Sequence, residues 1–109
     1  MADMTEFVVA LTTLPMDFDA AGLAEALVTA RVAACVTILP PVQSVYIWKG
    51  VVQRDQEQQL VMKTTKTQVP ALWEALSRRH PYDVPEFIVL PIVDANPAYL
   101  EWLRAETAS

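Results

Sequence analysis

Residues 44–53 read SVYIWKGVVQ, and they indicate more of the fold than any other segment of the chain. Two runs rich in β-branched and aromatic residues flank Lys49-Gly50, a pair typical of a hairpin turn, so the sequence predicts two paired strands. Successive strand residues point to opposite faces of a sheet, and here both faces carry apolar side chains. One face takes Val45 and Ile47, and the other takes Tyr46 and Trp48. Because both faces need cover, we expect a second subunit to supply part of it.

The first half of the chain predicts a strand, a helix and a further strand before the hairpin. FVVALT at 7–12 is a short apolar run typical of a strand, and Asp17 or Asp19 can cap a helix over 18–34. The predicted apolar face of this helix comprises Leu23, Leu27, Ala30 and Ala34. CVTIL at 35–39 predicts a strand that Pro40-Pro41 interrupts, since proline cannot donate to a ladder.

After the turn, the polar run QRDQEQQ at 53–59 predicts an interruption, either a bulge or an exposed edge, before LVMKTT at 60–65 resumes the strand. A second helix is predicted over 69–79, with Pro70 in its first turn, and it must stop near His80 because Pro81 follows.

The segment HPYDVPEFIVLP at 80–91 is first a stiff connector from helix to strand. It leads into EFIVLPIV at 86–93, which predicts a buried strand. Asn96 and Pro97 then begin a last helix, whose predicted inward residues are Tyr99, Leu100 and Leu103. The order β-α-β-β-α-β is typical of the α+β class, as a ferredoxin-like βαββαβ sandwich with an extra C-terminal helix, and we expect one domain over 1–109.

The composition favours some partners and cellular settings and argues against others. The 109 residues are 53% hydrophobic and 19% charged, an apolar excess that favours oligomerisation. The net charge is −5 and the basic residues are scattered, which argues against nucleic acid as a partner. The single cysteine excludes an internal disulfide and fits a cytosolic setting. The N-terminus lacks a basic signal region and an apolar run long enough for a membrane.

Several side chains have both a structural and a functional interpretation. Cys35 is either a small buried hydrophobe or a reactive thiolate, for which Arg31 is the only cationic neighbour nearby. His80 either closes a helix C-terminus or binds metal, for which one chain offers few further soft ligands. Tyr46 and Trp48 either pack against a neighbour or form the walls of a cleft with Lys49 at its rim.

Five motifs together resemble the CutA divalent-cation-tolerance family. They are ARVAACV at 30–36, SVYIWKG at 44–50, KT at 63–64, HPYDVPE at 80–86 and AYLEWL at 98–103. The resemblance implies a ferredoxin-like subunit in a tight trimer around a threefold axis, and a link to tolerance of copper and other divalent cations. It implies metal-linked roles for Cys35 and His80, and it implies an intersubunit cleft lined by Tyr46, Trp48, Lys49, Tyr82 and Glu86. Two positions depart from the family pattern: Asp83 replaces the commoner Glu, and Pro41 the usual Gly.

We therefore expect a non-enzymatic, cytoplasmic homotrimer that binds copper or another divalent cation weakly or at subunit junctions. The alternative is a trimeric regulator or scaffold that binds a small molecule or a protein in the cleft. A third hypothesis, an enzyme using Lys49, His80 and Glu86, has the least support because no nucleophile–base pair is legible.

Overall fold

The computed structural model describes residues 6–108, which form an antiparallel sheet with three α-helices. The prediction of an N-terminus without a signal falls partly on residues 1–5, outside this range. The elements, in chain order, are β1 (Phe7–Pro15), α1 (Ala20–Thr29), β2 (Cys35–Ile38), β3 (Val42–Trp48), β4 (Val51–Thr65), a 3-10 turn (Lys66–Gln68), α2 (Val69–Ser77), β5 (Ile88–Pro91) and α3 (Pro97–Glu106).

The strands run in the order β2-β4-β1-β5, and β3 also pairs with β4. Glu57 of β4 lies opposite Pro15 of β1 and opposite Val42 of β3, so β1 and β3 flank β4 on its two sides. β2 and β3 therefore share one side of β4, separated by Pro40-Pro41 as predicted. This arrangement leaves β5 at the opposite edge of the sheet.

The predicted break at 53–59 is wrong, because β4 runs unbroken through this segment. Its first half pairs with β3 from Val51 to Glu57, and its second half pairs with β1 from Glu57 to Thr65. Main-chain pairing satisfies the backbone whatever the polarity of the side chains, and the polar side chains of Arg54 and Asp55 remain exposed.

The first helix confirms the Asp19 cap but ends at Thr29, earlier than predicted. The Asp19 carboxylate accepts from the Gly22 backbone N–H at 2.9 Å. Arg31 then adopts φ 62°, and Val32 N–H reaches back to Leu27 C=O at 3.2 Å, which is a Schellman ending. Ala30 is consequently exposed rather than on the buried helix face. The motif was not predicted because Arg occupies the left-handed position that Gly usually takes.

Different helices pack on the two faces of the sheet. Helices α1 and α2 pack on one face around a core that comprises Ala10, Leu14, Leu23, Leu27, Leu60, Met62, Leu72 and Leu76. On the other face α3 buries Leu103 against Phe7. Asn96 caps α3 as predicted, accepting from Ala98 N–H at 3.0 Å. Tyr99 lies on the exposed side beside Trp102, not inward, because Leu100 and Leu103 occupy the packed side of the helix.

Much apolar surface stays open on the single chain. The hairpin turn has φ 50° at Lys49 and φ 81° at Gly50, which confirms the predicted turn and its left-handed backbone. Beside it, Ile47 is 70% exposed. The radius of gyration is 14.8 Å, against about 13 Å for a compact domain of this size.

Strand β5 also differs from its prediction. It spans four residues rather than eight, and its side chains are exposed. It pairs only with β1, and Ile88 and Leu90 lie on the face that neither α1 nor α2 covers. The apolar pattern typical of a buried strand therefore belongs here to an uncovered edge.

Candidate functional site

The segment after α2 is fixed to the sheet by His80. Its ring Nε2 donates to the backbone carbonyl of Thr13 at 2.9 Å and lies 3.2 Å from the Thr12 hydroxyl. The other ring nitrogen, Nδ1, accepts from the Tyr82 backbone N–H at 3.2 Å. These partners select the neutral ring with its proton on Nε2. Burial lowers the pKa of His80 below its ordinary 6.5, while the Thr13 bond and the Glu57 carboxylate oppose that shift.

His80 in turn orients Tyr82. The two rings lie 5.1 Å apart between centroids. The Tyr82 hydroxyl reaches across to β4 and donates to Glu57 Oε2 at 2.7 Å. Burial, followed by this bond to a carboxylate, raises the pKa of Tyr82 far above its ordinary 10. The connector 80–87 therefore crosses the end of β1 with one tyrosine directed at a buried glutamate.

The hairpin supplies the facing wall. Tyr46 and Trp48 lie on one face of β3, and the Tyr46 hydroxyl donates to the Asp55 carboxylate on β4. This bond is the main cause of the raised pKa of Tyr46. Asp55 and Glu57 are two residues apart, so both carboxylates lie on the same face of β4 as these aromatic rings.

The two walls enclose a cleft of about 350 Å³, lined by Tyr46, Trp48, Pro81, Tyr82, Asp83 and Val84. A second concavity of about 330 Å³ adjoins it and shares three of those residues. Its lining adds Thr13, Ser44, Val45, Glu57 and Glu86. Neither lining includes a lysine or an arginine.

Glu86 has an unusual environment within the second concavity. Its Oε2 is buried and has no hydrogen-bond partner among residues 6–108. Burial, with a smaller contribution from the charge of Glu57, raises the pKa of Glu86 above its ordinary 4.5. A buried acceptor without a donor is costly, so this oxygen is suited to a donor from outside the subunit.

Of the five residues predicted for the cleft, Tyr46, Trp48 and Tyr82 line it together, and Glu86 lines the adjoining concavity. Lys49 lies at the exposed hairpin turn and not in either lining. The sequence does not predict Asp55 and Glu57 as site residues, because their polar run at 53–59 predicts an interruption of the strand. Their two-residue spacing was the available signal, since it puts two acids on one face of a strand.

The two candidate metal ligands lie apart in one chain. Cys35 pairs with Lys63 on β2–β4, and its thiol is 3.8 Å from the Thr37 hydroxyl. His80 lies two strands away, about 10 Å across the sheet and about 13 Å further along β1, because Val9 is level with Cys35 and His80 binds the Thr13 carbonyl. In the described part of the chain, no three His, Cys, Asp or Glu side chains are grouped to hold a metal ion. A single subunit does not fit a metal centre built on both residues, and their metal role stays a prediction.

None of the three helices in this part of the chain is long and apolar enough to cross a membrane.

Comparisons with known proteins cover nearly the whole chain. The family model described as CutA1 divalent ion tolerance protein matches residues 8–106. A Thermus thermophilus relative named divalent-cation tolerance protein CutA is 48% identical over 99 residues, which cover 91% of this chain and 96% of the relative. The crystal structure of CutA1 from Oryza sativa is similar with a TM-score of 0.91 at 41% identity, covering 95% of each chain. The PII-like protein CutA from Nostoc, in apo form, gives 0.86 at 33% identity and covers 93% of this chain and 97% of its own.

Proposed function

Since this chain belongs to the CutA1 divalent ion tolerance protein family, we propose that it acts in divalent-cation tolerance as a cytosolic homotrimer, without catalysing a reaction. In this proposal each subunit is one ferredoxin-like domain, an assignment supported by the antiparallel order β2-β4-β1-β5 with helices between the strands.

The observation that carries the proposal is the uncovered apolar surface. Side chains on both faces of the hairpin are exposed: Ile47 at 70% and Val52 at 62% on one face, and Trp48 at 46% and Val51 at 58% on the other. Strand β5, at the other edge of the sheet, exposes Ile88 and Leu90. Two different apolar edges on one chain fit a head-to-tail interface, which closes into a ring when the rotation is right. Three copies in such a ring remove these side chains from water.

In the proposed trimer, the metal ligands come from several subunits related by symmetry and not from one subunit. A threefold axis turns one ligand into three, so junctions between subunits can gather donors that a single chain keeps apart. Cys35 is the better placed soft ligand, because its thiol is partly exposed at a β2 edge and has only the Thr37 hydroxyl as a described partner. His80 could join a site only by giving up the hydrogen bonds of a ring nitrogen.

Calorimetric titration of the trimer with Cu²⁺ tests this proposal. Wild type and the isosteric Cys35→Ser variant are compared after sedimentation has verified their size. The proposal expects binding that weakens at least about tenfold in the variant, because a thiolate ligand is lost. A Thr37→Val variant, which changes the thiol's neighbour and not the thiol, is the control. Equal affinity and stoichiometry in wild type and Cys35→Ser would remove Cys35 as a ligand.

A second function is favoured by the cleft itself. A trimeric regulator that binds a small molecule would use a concave site with aromatic walls and a few polar groups, as Tyr46, Trp48 and Tyr82 provide. An enzymatic role for Lys49, His80 and Glu86 gains no such support, because Lys49 is outside both concavities.

A further inference from the structure

We propose that the cleft between β3 and the connector 80–87 binds an organic ammonium ion. This inference rests on the proposed small-molecule role and names the chemical class of its ligand. It is carried by the side chains that line the two concavities.

The first step is the aromatic wall. Tyr46, Trp48 and Tyr82 come from two separate segments of the chain and line one cleft of about 350 Å³. Rings of this kind attract a cation through their negative faces, and several rings around one site are the usual way to bind a quaternary or protonated amine. The volume suits a small organic ion rather than a bare metal ion.

The second step is that both tyrosines are bonded to carboxylates. The Tyr82 hydroxyl donates to Glu57 and the Tyr46 hydroxyl donates to Asp55. A phenol that donates to an anion gains electron density in its ring, which strengthens the attraction for a cation. The bond to Asp55 is the main cause of the raised pKa of Tyr46, and burial followed by the bond to Glu57 raises the pKa of Tyr82. The acids thus act on the ligand directly by charge and indirectly through the rings.

The third step is the charge balance. Asp83 belongs to the first lining, and Glu57 and Glu86 belong to the second. No basic side chain lines either concavity, so an anionic ligand such as a phosphate would meet only repulsion. Charge complementarity therefore selects a cation, and the aromatic walls select an organic one.

The experiment compares choline with dimethylbutanol, the neutral analogue in which carbon replaces nitrogen. Both are titrated into protein of verified oligomeric size and followed by calorimetry and by tryptophan fluorescence. The proposal expects choline to bind at least about tenfold more tightly than its neutral analogue, because only choline carries the charge. Inorganic phosphate, titrated in the same way, should not bind.

Two variants locate the site. Glu57→Gln removes a cleft charge and keeps the shape, so choline affinity should fall several-fold while dimethylbutanol binding stays unchanged. Glu25→Gln removes an exposed charge on α1, outside the cleft, and should leave both affinities as in wild type. If Glu57→Gln loses its fold, Trp48→Leu against Trp102→Leu makes the same comparison with an aromatic inside and an aromatic outside the cleft.

Four results would overturn the proposal: equal affinity for choline and dimethylbutanol, no binding of either, binding of phosphate instead, or choline binding only after Lys49→Asn. The last would show that a neighbouring subunit's lysine fills the cleft. The experiment tests the proposed ligand class and the proposed assembly independently. A trimer that binds Cu²⁺ and ignores choline overturns the ligand class alone, whereas a monomer that binds choline overturns the assembly alone.

Discussion

Replacing His80 by Ala should destabilise the protein even when no metal is present. The substitution removes the donor to the Thr13 carbonyl and the acceptor for the Tyr82 N–H, and it opens a gap beside a side chain that is only 9% exposed. An unsatisfied buried polar group costs about 1–3 kcal/mol, so losing both bonds should cost about 2–4 kcal/mol, with entering water favouring the lower values. For a domain of this size that loss lowers the melting temperature by about 10 °C or more.

The assay is thermal unfolding at matched protomer concentration, with a chelator and separately with excess Cu²⁺. The chelated sample isolates the structural role, since a ligand bound only by the folded state adds stability of its own. Two further variants separate the contribution of the donor at Nε2 from that of the acceptor at Nδ1. His80→Gln retains a donor near Nε2 and His80→Asn retains an acceptor near Nδ1, so each should recover part of the loss.

A His80→Ala protein that unfolds like wild type in chelator and differs only when Cu²⁺ is added would contradict this prediction. That result would make His80 a metal ligand first and the bonds to Thr13 and Tyr82 incidental. An equal loss with and without metal supports the connector role.

Other predictions concern pH, the orphaned carboxylate, the turn and a helix cap. Because the folded pKa of His80 is depressed, its contribution is fully present above pH 6.5 and is lost as the pH falls below that value; denaturant unfolding across pH should show this loss in wild type and not in His80→Gln. The pKa of Glu86 is raised, so its contribution is present below about pH 4.5 and is lost as the pH rises through the folded pKa; Glu86→Gln should therefore add up to about 1 kcal/mol at neutral pH, and a lower unfolding midpoint would contradict this. Gly50→Ala should cost about 1–2 kcal/mol, since its φ of 81° is left-handed, and an unchanged denaturation midpoint would show that the turn relaxes freely. Asp19→Ala should cost about 1 kcal/mol in the same assay, whereas Asp19→Ser should cost less because serine also caps.

The elements with clear local signals were predictable from sequence. The Lys49-Gly50 turn, the Asp19 and Asn96 caps and the stop before Pro81 are all confirmed, because each depends on the chemistry of one or two neighbouring residues.

Features that depend on distant pairing were not predictable. The polar segment of β4 is a strand because β3 and β1 pair with it, and the residues at 53–59 do not themselves indicate those partners. Glu57 is buried for the same reason, since its partner Tyr82 lies 25 positions away in sequence. The sequence predicts the aromatic residues of the cleft. It does not predict the acids that bond to them, because the pairing of β4 with β3 and β1 places those acids beside the rings.

The proposed trimer requires that other copies of the chain cover the apolar hairpin and β5. Sedimentation of wild type, Ile47→Glu and Val28→Glu at micromolar concentration tests it directly, because Ile47 and Val28 are both exposed but only Ile47 lies on the hairpin. We expect wild type and Val28→Glu to sediment at three times the 12.1 kDa chain mass, and Ile47→Glu to sediment as a smaller species. A monomeric wild type, or an Ile47→Glu protein as trimeric as Val28→Glu, would contradict the proposed trimer.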